Sequence, residues 1–287
     1  MRSKLKELIS KYYSSVRERA VERGATTLLS ISTLGARRYL KRNGPLRILI
    51  DTSVIGNAVT HETGWISTGP KMWGNIEVNT GYMARIPVHS PTNKTRMYQE
   101  IRYLPGIAHL ARHNFLKLFT SGELQAEAFS QPAGRFSGYG WYDYNVFKNT
   151  KIETIDDAFY LDLVNPKQAQ QTRLKGCQEP LFLSLVENLG ESNNQDAFHI
   201  FTAEKFGLDV FLCLDFPLVN KIRSLSHKLP FRELRTKVML PSDLASLIRQ
   251  LPFDTNLHSY VDSSVPRRAD LHMPGEQRRP RKDYKDV

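Results

Sequence analysis

Cysteine is nearly absent from this sequence. Two occur in 287 residues, Cys177 and Cys213, far apart and in no Cys-x-x-Cys pair. That excludes a disulfide-stapled scaffold and a zinc ribbon, and it fits a reducing, cytoplasmic setting. Cys213 lies in an apolar run and is expected to be a buried free thiol. No stretch of 18 or more apolar residues occurs, so no membrane-spanning helix is expected. The basic N-terminus lacks the apolar centre of a secretory signal, so none is expected. No internal repeat is visible. Neither Gly-x-Gly-x-x-Gly nor a P-loop signature is present, which leaves a nucleotide-cofactor reading without support. Gly-x-Ser-x-Gly is missing too, which weakens a serine-hydrolase reading.

What is abundant is positive charge, placed unevenly. The net charge is +11. Residues 1–47 hold 12 Lys and Arg against 3 acids, and residues 264–287 hold 7 against 4. The remaining 21 basic and 29 − 7 = 22 acidic residues leave 48–263 at −1. A near-neutral body with basic flanks suits a polyanion such as RNA. A solvated basic helix that only aids solubility gives the same composition, and a membrane-surface helix is a third reading.

Within that body, two apolar strands each end in an acid. Leu46-Arg47-Ile48-Leu49-Ile50 runs into Asp51, and Asp209-Val210-Phe211-Leu212-Cys213-Leu214 runs into Asp215. Such strands read as buried members of a parallel sheet. Ligands in open α/β sheets bind at the strands' carboxyl ends, where two carboxylates repel unless one is protonated or a cation lies between them. The pattern therefore points to a metal site.

The other elements alternate. Residues 1–44 read as a basic helical hairpin whose first helix ends at Gly24, with Asn43-Gly44-Pro45 as the breaker. Residues 57–95 are rich in Gly, Pro, Thr and Asn and are expected to be a long insertion without regular structure. Its Trp65, Lys71, Trp73, Tyr82, Arg85, Lys94 and Arg96 could stack bases and touch phosphates, or the Trp residues could pin the loop to the body. Residues 97–113 read as helical with a break at Pro105-Gly106. Phe115 to Ser121 reads as a strand, and Ser121 caps a helix to Phe129 that bears Glu123 and Glu127 on one face. Residues 131–178 form a second insertion of weak signal, with a loop from Phe136 to Phe147 and a short strand from Lys151 to Ile155. Leu181–Leu189 is helical. Ser192-Asn193-Asn194-Gln195 has the capping-box pattern and opens a helix over about 194–206, with Asp196 in its first turn, where the helix dipole favours a carboxylate and a purely structural role is a second reading. Helices from Phe216 to Leu225 and from Pro241 to Leu251 flank a strand at Lys237–Leu240. The basic residues 259–287 read as disordered. This alternation predicts an α/β fold, a three-layer α/β/α sandwich with a mainly parallel central sheet, preceded by the basic helical segment. The domain spans 45–258.

Asp51-Thr52-Ser53-Val54, Ser121 with Glu127, and Asp196 with Asp215 together resemble a PIN domain. YLPGIAHLARHNFLKLFTSGELQAE, NNQDAFHIFTAEKFGLDVFLCLD and KVMLPSDLASLI are similar to that family's helix–strand–helix, helix–strand and strand–helix segments. The resemblance covers about 45–252, apart from the two insertions. It implies a metal-dependent ribonuclease using Mg²⁺ or Mn²⁺, with Asp51, Glu127, Asp196 and Asp215 as catalytic and metal-binding residues, and products with a 5′-phosphate and a 3′-hydroxyl. Glu123 is a one-turn rival to Glu127. Cys213 stands where that family often has Ser or Thr, and Ser53 where Asn is frequent. Two alternatives remain open at this point: a catalytically weak scaffold that binds RNA or a protein partner, including a second copy, and the toxin of a toxin–antitoxin pair. Asp196 and His199 have the spacing of a di-iron half-site, but no second such helix accompanies them, so His199 is expected to be structural or near the phosphate. His109 and His113 are spaced like a zinc pair but lack a third ligand and are expected at the surface.

Overall fold

The structure, a computed structural model, describes residues 23–87, 94–130, 146–156 and 165–257. Residues 23–32 are helical and pass through Thr33 into α1 (Leu34–Asn43), so Gly24 lies inside a helix and does not end one. Gly44 ends α1: it takes φ +87° and its N–H closes on the Leu40 carbonyl. β1 (Leu46–Ile50) follows, then α2 (Thr52–Asn57). β2 (His61–Trp73) and β3 (Ile76–Pro87) form an antiparallel hairpin. α3 (Arg96–Ile101) and α4 (Leu104–Arg112) precede β4 (Leu116–Thr120), which leads directly into α5 (Gly122–Ser130). Then come β5 (Ile152–Thr154), α6 (Pro166–Gly176), α7 (Pro180–Leu189) and α8 (Asn194–Lys205). β6 (Val210–Leu212), α9 (Phe216–Leu225), β7 (Lys237–Met239) and α10 (Pro241–Ile248) complete the described chain, apart from a final short turn of helix.

Five strands make one sheet in the order β5-β4-β1-β6-β7, every neighbouring pair parallel. The apolar runs explain it. A strand buried on both faces needs hydrophobic residues at successive positions, not at alternate ones. Ile48, Ile50, Leu116, Leu118, Val210 and Leu212 face one core, with Leu40, Ile101, Ile107, Leu110, Leu244 and Ile248 of α1, α3, α4 and α10. Leu49, Phe119, Phe211 and Cys213 face the other, with Leu124, Leu174, Leu185, Ile200 and Val219 of α5 to α9. Helices thus cover both faces. Each fully buried Leu or Ile contributes about 1.5–3 kcal/mol of transfer free energy.

Several expectations are corrected. The 57–95 stretch is not structureless, because the β2–β3 hairpin occupies most of it. Trp73-Gly74-Asn75-Ile76 supplies the turn, with Gly74 at φ +64°, and a Gly-Asn pair between β-prone runs is a hairpin signal. Trp73 does not pin this segment to the body, since its side chain is 81% exposed. The helix break before β4 falls at Arg102 and Tyr103. Pro105 sits in the first turn of α4, where the missing N–H does no harm. α10 stops at Ile248, before Leu251, because Arg249 adopts left-handed φ 62°. His109 is buried, 7% exposed, and is not a surface residue. The expected first helix over 1–23, most of the 136–147 loop and the 259–287 tail lie outside the described residues.

Within the first of the two cores, α1 packs closely against the end of α10. A Cβ added at Gly35 would run into the Arg249 carbonyl oxygen, whereas one at Gly24 meets nothing within 4 Å. Gly35→Ala is therefore expected to lower stability by about 1–3 kcal/mol through overpacking. This should outweigh the roughly 1 kcal/mol by which Ala favours a helix over Gly. Gly24→Ala, on the exposed helix, is expected to be neutral or stabilising. Thermal unfolding of the two variants side by side checks this, and equal shifts would remove the packing argument.

Candidate functional site

Because the sheet is wholly parallel, all its carboxyl ends lie along one edge. The chain leaves β1 toward β4 on one side, while β6 leads on to β7 on the other. The crevice between β1 and β6 is therefore the topological switch point, the place where an open α/β sheet binds its ligand. Asp51 ends β1, and its backbone N–H donates to Leu212 of β6 at 3.0 Å. Asp215 follows β6. Ser121 follows β4 and opens α5, so Glu127 rides on the helix leaving the same edge. α8 precedes β6 and runs antiparallel to it, which brings its N-terminal turn, with Asp196, back to that edge. Residues as far apart in sequence as Asp51 and Asp215 are gathered by topology alone.

Local chemistry fixes each of them. Asp51 caps α2, its carboxylate accepting from the Ser53 N–H at 3.3 Å and from the Ser53 hydroxyl. The same hydroxyl oxygen accepts from the Leu214 N–H at 3.1 Å. Ser53 thus joins the loop after β1 to the loop after β6. Asp215 caps α9 by accepting from the Leu218 N–H at 2.8 Å. Ser121 caps α5 through Leu124 N–H at 3.3 Å, and Asp156 accepts from Gly122 N–H at 2.9 Å. The expected capping box at Ser192–Gln195 is not formed. A 3₁₀ turn, Glu191–Asn193, leads into α8 instead, and the Asn193 side chain donates back to the Leu189 carbonyl at 2.7 Å.

The two Glu residues of α5 part company. Glu123 is 1% exposed and takes a bidentate contact from Arg173 of α6, at 2.9 and 3.1 Å. Glu127 faces His199 of α8, with Nε2 to carboxylate oxygen at 3.5 Å. Glu127 is thereby the α5 acid whose charge acts on Asp51 and Asp196. His199 is 1% exposed, and the sequence reading of it as structural or near the phosphate stops short of its contact with Glu127. The tie made by Ser53 was missed as well, although Asp-x-Ser at a strand end is the spacing of a helix cap.

Electrostatics bind the group together. Burial pushes the Asp51 carboxyl above its ordinary value, His199 and Ser53 pull it back, and Glu127 adds to the rise. Asp196 is pushed up to about 6, first by burial and then by Asp215, Asp51 and Glu127, against the pull of His199. Burial works against the charged form of His199, yet Glu127, Asp51 and Asp196 lift it above its usual value. The Cys213 thiol, 1% exposed, is raised well above its normal value by burial and by Asp51, Asp215 and Asp196, so it stays neutral beside the acids.

Compared with family models, curated proteins and solved structures, the chain matches none. What the site can do chemically rests on its own side chains.

Among the described residues no three His, Cys, Asp or Glu side chains stand close enough to surround a single ion as placed. The donor chemistry nonetheless fits a hard divalent cation. Mg²⁺ takes oxygen ligands and is held by one or two carboxylates together with several waters, and Mn²⁺ shares that preference. Carboxylates that raise one another's pKa favour a cation between them. Asp51 and Asp196, with Glu127 and Asp215 at their sides, are the residues that would hold it. Among the described residues no helix is long and apolar enough to cross a membrane.

Proposed function

We propose that this chain is a metal-dependent ribonuclease with a PIN-like three-layer α/β/α sandwich. The observation that supports it is the gathering of Asp51, Glu127, Asp196 and Asp215 at the switch point of a parallel sheet, with His199 drawing the Asp51 and Asp196 carboxyls back down. A bound Mg²⁺ or Mn²⁺ would lower the pKa of a water and stabilise the leaving oxygen in phosphodiester hydrolysis. The chain's own residues do the rest. Asp51 and Asp196 would hold the cation, and Ser53 fixes Asp51 while anchoring the loop after β6. His199 orients Glu127. Asp215 is held in place by the first turn of α9. Basic segments flanking the domain would draw RNA to the acidic pocket through phosphate contacts. No side-chain nucleophile is required, in keeping with a neutral Cys213.

A partly structured, end-labelled RNA incubated with purified protein tests this. Cleavage is expected with Mn²⁺ and with Mg²⁺ and none with EDTA, leaving 5′-phosphate and 3′-hydroxyl ends. Metal-independent cutting, or neither cutting nor binding, would overturn the proposal. Binding without cutting would favour a second reading, an RNA-binding scaffold. That reading draws on Cys213, a poorer hydrogen-bonding neighbour for the acids than a hydroxyl.

The metal also gives a pH signature. Asp196, with its carboxyl at about 6, must lose its proton to become a ligand. Mn²⁺ affinity is therefore expected to rise as pH climbs from about 5 to 7, and calorimetric titration across that range checks it. A flat profile would take Asp196 out of the ligand set.

A further inference from the structure

Arg96 opens α3 and is exposed. A cation in the first turn of a helix gains nothing from the helix dipole. Among the described residues no carboxylate forms an ion pair with it. Glu100, one turn on, attracts Arg96 through space, but its oxygens are bonded elsewhere: they accept from the Ser242 N–H and hydroxyl, both at 2.8 Å, at the start of α10. What holds Arg96 is the ring of Phe216, with the guanidinium carbon 4.2 Å from the ring centroid. Phe216 is the residue directly after Asp215, the last of the four acids, and it opens α9 at the carboxyl edge of the sheet. A planar guanidinium resting on an aromatic face keeps its N–H donors in its own plane, free to donate outward past the ring. At the acidic pocket itself an Arg would neutralise the carboxylates and compete with a cation. Arg96 is seated instead on Phe216, one residue beyond Asp215. It supplies positive charge beside the pocket and not within it.

We infer that Arg96, seated on Phe216, is a substrate-positioning residue that grips a backbone phosphate of RNA next to the one lying over the acids. This rests on the ribonuclease reading. The guanidinium donates two N–H groups to the phosphate oxygens. The phosphate chain is thereby held across the crevice between β1 and β6, with its next linkage over Asp51 and Asp196.

The test uses the full-length protein and a fluorescein-labelled single-stranded RNA 20-mer, with binding followed by anisotropy in EDTA at several salt concentrations. Cleavage is measured separately in Mn²⁺. Arg96→Ala is expected to bind RNA about tenfold more weakly. The slope of log affinity against log salt should fall by about 0.7, the value of one single-strand phosphate contact. Mn²⁺ affinity and the unfolding temperature should stay at wild-type values, and the loss of cleavage should appear mainly in KM. Arg96→Lys is expected to restore the slope but only part of the affinity, because an ammonium cannot lie flat on Phe216. Wild-type affinity and an unchanged slope in Arg96→Ala, with cleavage by the wild type intact, would overturn this inference and leave the ribonuclease reading standing. Failure of the wild type to bind RNA at all would overturn both.

Discussion

Replacing Asp51 or Asp196 by Asn is expected to abolish RNA cleavage while leaving the metal-free protein more stable than the wild type. The loss should exceed about 100-fold, since disturbing even an outer partner of a metal ligand lowers affinity or activity 10–100-fold. The gain in stability follows from the direction in which the two carboxyls are perturbed. Asp196 titrates at about 6 in the fold against 3.8 for an unperturbed side chain. A carboxyl raised on folding contributes stability that is fully present below about pH 4 and is lost as pH rises through about 6. Above that range the wild type carries a charge that its surroundings disfavour, and Asn does not. A rise of that size corresponds to about 3 kcal/mol. Partial exposure of the side chain reduces this to about 1–2 kcal/mol, or several degrees in unfolding temperature. Adding Mn²⁺ should reverse the order, because a ligand at 100 times its Kd stabilises the wild type by about 2.7 kcal/mol and the variants not at all. Thermal unfolding at pH 7.5 with and without Mn²⁺, beside a cleavage assay, reads both effects. Folded Asn variants that still cut RNA would sink the assignment of these acids.

Removing the Arg173 side chain should cost more stability than Gly35→Ala. Glu123 is nearly inaccessible, and its two oxygens take both contacts from Arg173. Breaking a buried pair by deleting one partner leaves an uncompensated charge in the core, at about 3–5 kcal/mol. Arg173→Leu is therefore expected to shift the urea midpoint strongly. Glu123→Leu combined with Arg173→Leu should recover most of the loss, because two apolar side chains leave no buried charge. A double variant as unstable as the single one would show that packing, not charge, holds α6 against α5. Cleavage should suffer in the single variant as well, since α5 carries Glu127 one turn beyond Glu123.

The sequence disclosed the parts of this fold whose cause is local. Ile48 to Ile50 and Val210 to Leu212 are apolar at every position, and only a strand covered on both faces permits that, so the central strands and their terminal acids were readable. Ser121 as a cap and Gly44 as a stop were readable for the same reason. Features that depend on distant partners were not. Glu123 and Glu127 share a helix face in sequence, and only Arg173, 50 positions away, decides that one is structural and the other reaches the pocket. His109 looks like a surface residue until α4 is packed against the sheet. The hairpin was hidden because its Gly, Pro and Thr content reads as a loop, although Gly74-Asn75 marked the turn.

The order in which the acids occur along the chain sets a limit of another kind. Asp51 lies early and Asp215 late, and β6, which forms one wall of the crevice, is the fourth of the five strands to emerge during synthesis. A nascent chain that has not passed Asp215 lacks the last acid, and until β6 has joined the sheet it also lacks the carbonyl of Leu212 that holds Asp51 and the Leu214 N–H that holds Ser53. Whatever chemistry the assembled pocket performs is therefore withheld from a protein still being translated, until most of the chain has been made.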